Sequence, residues 1–344
     1  MSIASTNKLV TDQPAGAEPL FVGVDIGGTK VAAGLVDPKG QIRWQCSIPM
    51  ISDRDGESGL AVVRSAIDAA LTNAAEHLAG SSVMGIGICS PGPLDPKSGT
   101  IINPPNLPCW RNFQLVAEIA RSYRVPVKLD NDGNAAALAE ALWGAGRGYR
   151  NVFCTTIGTG IGTGIVFDGQ VYHGRTGAAA EGGHMSIDRT GPRCGCGKPG
   201  CIEALASGPA IASRARAKLN QADGNSSALL KLCEGHRDRI TSEMVGRAYE
   251  QGDSVVKQVL LETADALSLW LGNIIDLLEP DVIVIGGGVA AMLRPFLPEV
   301  KKRLSAYCVN SRCQEIPMLP AHYGADAGIV GGAALCFTSA SVNR

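Results

Sequence analysis

The sequence predicts an α/β protein built of two related halves. Three observations carry that expectation. Short apolar runs of strand length alternate with alanine-rich and leucine-rich stretches of helical period. A pattern of strand, glycine turn, strand and aspartate turn occurs twice: shifted by 131 residues, Ile26, Gly27 and Asp37 fall on Ile157, Gly158 and Asp168. The polar turns also fall at strand ends, the edge at which open α/β sheets bind ligands.

The elements follow in order. After a polar leader over residues 1–19, "LFVGVDIGGTKVAAGLVDPKGQIRWQCSI" reads as a strand, a glycine turn, a second strand to Val36, a "DPKG" turn and a third strand. Residues 57–79 place Leu60, Val63, Ile67 and Leu71 at helical spacing, and the apolar strand "VMGIGI" follows at 83–88. "FQLVAEIARSY" reads as a helix and "PVKL" at 126–129 as a strand. "NDGNAAALAEALWGAG" then has strong helix formers and a glycine stop. A second meander, "NVFCTTIGTGIGTGIVFDGQVYHG", opens the second half. Helices are expected near 207–219, 241–251 and 253–278, then the strand "PDVIVI", the turn "GGGVA", a helix to about 304 and a last helix near 325–337. "NQADGNSSA" at 220–228 reads as a flexible loop.

Composition narrows the function classes. The 344 residues suffice for two domains, and 45% hydrophobic residues give each a core. With 31 Lys and Arg against 32 Asp and Glu, the net charge of -1 offers no electrostatic reason for nucleic acid or an anionic membrane as partner. The first twenty residues lack a basic start followed by an apolar core, and no later run offers about 18 apolar residues, so the expected location is cytoplasmic. Eleven cysteines are an odd number and most are scattered; in a reducing compartment they read as buried thiols or metal ligands.

The glycine turns are the first candidates for chemistry. In "DIGGTK", Gly27 and Gly28 let the backbone approach a ligand, so that main-chain N–H groups and the Thr29 hydroxyl can face an anion, with Lys30 beside them. Phosphate is the obvious anion, and Asp25 at the strand end could hold Mg²⁺ through water. A plain hairpin turn with an exposed lysine is the alternative. "GTGIGTG" holds Gly158, Thr159 and Gly160 in a second hairpin, as a nucleoside triphosphate needing two cradles would require. Neither turn matches the Walker or dinucleotide patterns. Gly286, Gly287 and Gly288 lie between a strand and a helix, where the backbone can approach a flat adenine or ribose; alone they are a tight connection.

"DIGGTK", "NDGNAAALAE", "GTGIGTGI", the "EGGH" segment and "CGCGKPGCIE", in this order and spacing, resemble the ROK family (repressors, open reading frames and sugar kinases) of the hexokinase and actin-like superfamily. The resemblance runs from about Leu20 onward. It implies two RNase H-like (actin-like ATPase) domains with an interdomain active-site cleft for ATP and sugar. The expected N-terminal domain covers 20–130, with a C-terminal helix of about 325–344 packing back on it, and the C-terminal domain covers 131–324.

The resemblance also assigns roles. Asp132 looks like the catalytic base, a carboxylate that takes the proton of a sugar hydroxyl, whereas without the resemblance it reads as a helix cap. Asn131 would be its sugar-binding neighbour; the family commonly has alanine where Gly133 stands. Asn106 in "NPPNLPCW" resembles the substrate-loop asparagine, against the reading of a turn residue beside prolines. Glu181, His184 and Glu203 resemble the residues that bind ring hydroxyls, although either glutamate alone would read as a solvated carboxylate. Cys194, Cys196 and Cys201 with His184 match a structural zinc set, Cys₃His. A redox pair is the competing reading; C-x-C-x₄-C is not the thioredoxin-like C-x-x-C, and the resemblance favours zinc.

The implied function is ATP-dependent phosphorylation of a hexose 6-hydroxyl, most simply glucose to glucose 6-phosphate by a homo-oligomer, dimer or tetramer. An N-acetylmannosamine kinase is the alternative, which "CIEALASG" also resembles. A sugar-responsive repressor is a third reading, disfavoured because only about twenty polar residues precede the first strand, too few for a helix-turn-helix domain.

Overall fold

The structure, a computed structural model, describes residues 18–221 and 227–342. Of the leader expected over 1–19, residues 1–17 lie outside the described residues, and Glu18 and Pro19 already belong to the first strand. Residues 222–226 of the loop expected at 220–228 also lie outside them.

The first half runs β1 (Glu18–Ile26), β2 (Lys30–Val36), β3 (Ile42–Pro49), α1 (Gly56–His77), β4 (Ser81–Ser90), β5 (Leu94–Asp95), β6 (Thr100–Ile101), α2 (Leu115–Ala120), β7 (Val127–Asn131) and α3 (Asp132–Leu142). The "DPKG" turn closes on the buried Asp37, whose Oδ1 accepts the N–H groups of Lys39 (2.9 Å) and Gln41 (3.0 Å). Asp55 caps α1 by accepting the Ser58 N–H at 2.7 Å.

The second half runs β8 (Asn151–Ile157), β9 (Ile161–Phe167), β10 (Gln170–Val171), α4 (Ile202–Ala206), α5 (Gly208–Gln221), α6 (Ala228–Leu232), α7 (Ser242–Glu250), α8 (Ser254–Leu278), β11 (Val282–Gly286), α9 (Gly288–Leu293), α10 (Leu297–Arg303), β12 (Met318–Pro320) and α11 (Ala327–Val342). The single helix expected from "GGGVA" to about 304 is instead α9, a 3₁₀ turn (Arg294–Phe296) and α10. Pro295 and Pro298 explain the break, because neither ring nitrogen can donate within a helix. Asp253 caps the 25-residue α8 through the N–H groups of Val255 and Val256. No helix among the described residues is long and apolar enough to cross a membrane.

Two five-stranded sheets share one plan, β3-β2-β1-β4-β7 and β10-β9-β8-β11-β12. In the first, β1 pairs antiparallel with β2 and parallel with β4, and β4 pairs parallel with β7. In the second, β11 pairs parallel with both β8 and β12. The described residues divide into two compact units, one within residues 1–148, 164–180 and 323–344 and the other within 149–163 and 181–322. This division differs from the boundary expected at residue 130, since α3 belongs with the first unit. The reason is packing: α3 lies on α11, where a Cβ on Gly331 would come within 2.5 Å of the Ala135 backbone.

In the first unit, Leu60, Val63, Ile67 and Leu115 of α1 and α2 bury one face of the sheet with Val22, Val24, Ile86 and Ile88. The opposite face is covered by α11 through Ile329, Val330 and Ala333. That approach is unusually close. A Cβ on Gly23 or Gly87 would run into the carbonyl oxygens of Ile329 and Gly332. In the second unit the core centres on α8, where Trp270 meets Phe153 of β8 edge to face at 5.8 Å.

Candidate active site

In the first unit, the candidate residues gather at one edge of the sheet. The parallel strands β1, β4 and β7 lie side by side, and Asp25, Cys89 and Asp130 form one row across them. One step further, Ser90 pairs with Asn131, and α3 begins at Asp132. The fully buried Cys89 Sγ lies 3.5 Å from Asp25 Oδ1 and 3.2 Å from the Gly328 carbonyl oxygen. Burial, and then the charges of Asp25, Asp132 and Asp130, push this thiol far above its ordinary range. Cys89 is therefore a neutral spacer among three carboxylates. Burial also raises Asp25, against the lowering effects of Cys89 and Lys30.

The cap of α3 is Asn131 and not Asp132. Asn131 has extended backbone and its Oδ1 accepts the Gly133 N–H at 2.9 Å. Asp132 occupies the first helical position, with its Oδ1 2.8 Å from the same N–H. Asp132 is exposed at the start of the helix, where the backbone dipole interacts favourably with negative charge.

The "DIGGTK" turn closes through the Gly27 N–H on the Lys30 carbonyl at 2.8 Å. Gly28 is the point of close approach: a Cβ there would stand 2.7 Å from the Asn106 carbonyl oxygen. Asn106 and the turn are thereby neighbours, and the Ser52 hydroxyl ties the Gly28 carbonyl at 3.1 Å. Thr29 and Lys30 are exposed at the tip.

In the second unit, the candidates separate into two groups. Gly158, Thr159 and Gly288 line a cavity of about 1050 Å³ together with Arg216, Tyr249 and Met292. Gly160 faces the other way: a Cβ there would stand 2.6 Å from Glu203 Oε2, which accepts the Ile161 N–H at 2.9 Å. Gly286 ends β11, and Gly287 has φ 95° and packs under Ile157, so both shape the turn behind Gly288.

Glu203 also connects to the cysteine loop. Its Oε1 lies 3.6 Å from Cys194 Sγ and 3.8 Å from His184 Nδ1. His184, Cys194, Cys196 and Cys201 bring one ligand atom each to within 4.8 Å of one another. Cys196 and Cys201 are 3.6 Å apart at sulfur, and Cys194 Sγ is 3.5 Å from His184 Nδ1. Burial pushes the Cys201 thiol up to about 12, whereas the backbone near Lys198 lowers the exposed Cys196. The loop is held from behind, since Trp270 Nε1 donates to the Gly182 carbonyl at 3.0 Å and Gly182 N–H donates to the Thr163 hydroxyl at 2.9 Å. Glu181 is exposed just before this turn.

Sequence reasoning missed Cys89, Asp130, His173 and the helix residues lining the second-unit cavity. Asp130 had a signal, an acid inside an apolar strand next to a polar turn. His173 had none: its partner is 43 residues away.

Known proteins resemble the chain over most of its length. The profile of the ROK family matches residues 21–339. A glucokinase of Streptomyces coelicolor is 33% identical over 317 residues, covering 92% of this chain and 97% of that protein. An N-acetylmannosamine kinase of Shigella boydii is 32% identical over 91% of this chain and 96% of its own length. The crystal structure of a ROK family glucokinase from Streptomyces griseus, in complex with glucose and AMPPNP, superimposes with a TM-score of 0.74 at 34% identity, over 92% of this chain and 98% of that one.

Proposed function

The chain belongs to the ROK family, and from that premise we propose that it transfers the γ-phosphoryl group of ATP to the 6-hydroxyl of glucose. It is an ATP-dependent sugar kinase with the actin-like ATPase fold. The observation that carries the reading is Asp132, a carboxylate at the start of α3 and at the carboxyl end of a parallel strand, in a chain similar over nearly its whole length to glucokinases.

The residues divide the work as follows. Asp132 accepts the proton of the 6-hydroxyl as that oxygen bonds to the γ-phosphorus and the bond to the β–γ bridging oxygen breaks, releasing ADP. Asn131, Asn106, Glu181, His184 and Glu203 hydrogen-bond the ring hydroxyls, so an epimer leaves one of them unpaired. The Gly27, Gly28 and Thr29 backbone faces the transferring phosphate, while Gly158, Thr159 and Gly288 form the wall of the nucleotide cavity, with Arg216 supplying positive charge. Asp25 would hold a hydrated magnesium ion, which when bound would supply positive charge against that of the phosphates.

The Cys₃His group fits zinc. Four-coordinate zinc with sulfur at about 2.3 Å requires ligand atoms roughly 3.5 to 3.8 Å apart, which agrees with the 3.5 and 3.6 Å separations. A divalent cation also offsets the cost of ionising a thiol that burial holds as high as Cys201. The metal would stiffen the loop that carries His184 and Glu203, in a protein of the cytoplasm.

A second reading, phosphorylation of N-acetylmannosamine, is supported by the 32% identity to the Shigella boydii kinase. ADP release measured over glucose, mannose, N-acetylglucosamine and N-acetylmannosamine separates the two. Glucose is expected to have the highest kcat/KM; turnover of N-acetylmannosamine alone would replace the first reading with the second.

A further inference from the structure

We propose that His173 is a positioning residue for the catalytic turn, acting through the buried Asp130. Asp130 is 2% exposed. Its Oδ1 accepts the Asn131 N–H at 2.7 Å and the Asn134 side-chain amide at 3.0 Å, so this single oxygen holds the residues on both sides of Asp132. Its Oδ2 is bonded to His173 Nε2 at 2.6 Å. A buried ionised carboxylate needs a partner of opposite charge or it becomes costly. His173 is the ionisable side chain bonded to it. The imidazole thus anchors the outer oxygen while the inner one fixes the turn, and the direction of the Asp132 carboxylate follows from that turn.

The other face of His173 is open to water. It lines a cavity of about 730 Å³ with Lys97, Ser98, Lys128, Asp130 and Gln170, so its proton can exchange with solvent. The charged groups facing it are Asp130 and Lys128 on β7 and Lys97 in the β5–β6 turn; α3 and α11 bring only Leu138 and Leu335 to the cavity. The hydrogen bond that His173 donates to Asp130 raises it above the ordinary histidine range, against the effects of burial and of Lys97. Because the folded value is raised, His173 keeps its proton at the ordinary histidine pKa. The proton is lost as pH rises through the raised value. Positioning of Asp132 should weaken on the alkaline side while nucleotide binding does not.

This inference rests on Asp132 as the base, and the experiment keeps the two apart. His173→Ala and His173→Gln are compared with the parent in kcat, in KM for glucose and ATP across pH, and in far-ultraviolet circular dichroism. Asp132→Asn is assayed alongside, and the His173 ring is titrated by NMR in the parent. Alanine is expected to lower kcat about tenfold, the scale of one hydrogen bond to a charged group, with KM for ATP within about twofold. Glutamine, which offers an uncharged donor near the Nε2 position, mimics the deprotonated parent and should give a turnover without the alkaline fall, near the parent's level at high pH and above that of alanine. An alanine variant that folds and keeps the parent's kcat and pH profile would overturn the proposal, as would a His173 ring titrating at or below the ordinary value. Should alanine fail to fold, a glutamine variant with the parent's alkaline limb unchanged would overturn it equally. An active Asp132→Asn enzyme defeats the base assignment whatever His173 does. An inactive one beside an indifferent His173 defeats the positioning role alone.

Discussion

The β1–β2 and β8–β9 turns stand at the same place in two sheets of one plan, yet they are chemically unlike. The first closes by Gly27 N–H on Lys30 at 2.8 Å, the second by Gly158 N–H on Gly160 at 2.9 Å. Under the 131-residue shift, Thr156 stands where the first has Asp25, and Ile161 where it has Lys30. The first turn therefore carries its own opposite charges and joins a row with Asp130 and, beyond it, Asp132. The second presents neutral backbone and takes its acid, Glu203, from α4 beside the cysteine loop. The two sheets share a hydrogen-bonding frame and divide the charge. In the proposed kinase the first copy would hold the groups that react and the second groups that bind.

The largest effect that would test this division is on turnover. Asp132→Asn keeps the shape of the turn, since Asn131 and not Asp132 caps α3, and should lower kcat at least about a hundredfold with sugar binding retained. Steady-state kinetics with a calorimetric glucose titration measures both. Retained turnover would mean that the first copy does not hold the reactive group.

A smaller effect is expected from the cysteine loop. Cys196→Ser should leave less than one zinc per chain and raise the KM for glucose about tenfold, with the Kd for ATP changed less than about twofold. The comparison sharpens if metal analysis and nucleotide titration part in this way, and breaks if ATP affinity falls in step with sugar affinity. The variant should still fold, because two cores of this size do not depend on one metal.

The smallest is a gain in stability. Burial raises Asp25 in the folded chain, so folding favours its protonated form, and stability falls as pH rises through the raised value. Asp25→Asn removes that penalty and should raise Tm by about 2 °C at neutral pH, while activity falls. Calorimetry beside the kinase assay decides the point; a lowered Tm would show that the carboxylate supports the turn.

Legibility in the sequence followed locality. Both glycine hairpins, the aspartate turns and the Cys₃His spacing are short-range patterns, and each is where the residues placed it. The break between α9 and α10 is also legible, in Pro295 and Pro298, which a single helix to about 304 passes over. Other features depend on residues far apart in the chain. Nothing local marks His173 as the partner of Asp130, or Glu203 as the acceptor of the Ile161 N–H. The grouping of α3 with the first unit depends on small residues facing each other across nearly two hundred positions, Ala135 against Gly331. Periodicity within either helix is silent about that.

The glycine contact of α11 also bears on the order of events during synthesis. Gly23 and Gly87 leave room for a backbone that the ribosome delivers only after more than two hundred further residues. Until α11 emerges, one face of the β1–β4 pair, strands that are themselves apolar, has no cover from its final neighbour. The first unit to begin is thus the last that can be completed, and its closure is a contact of very high sequence separation, a slow class of folding step. A nascent chain stopped short of residue 327 would carry an unfinished sheet face of the kind that recruits chaperones or aggregates.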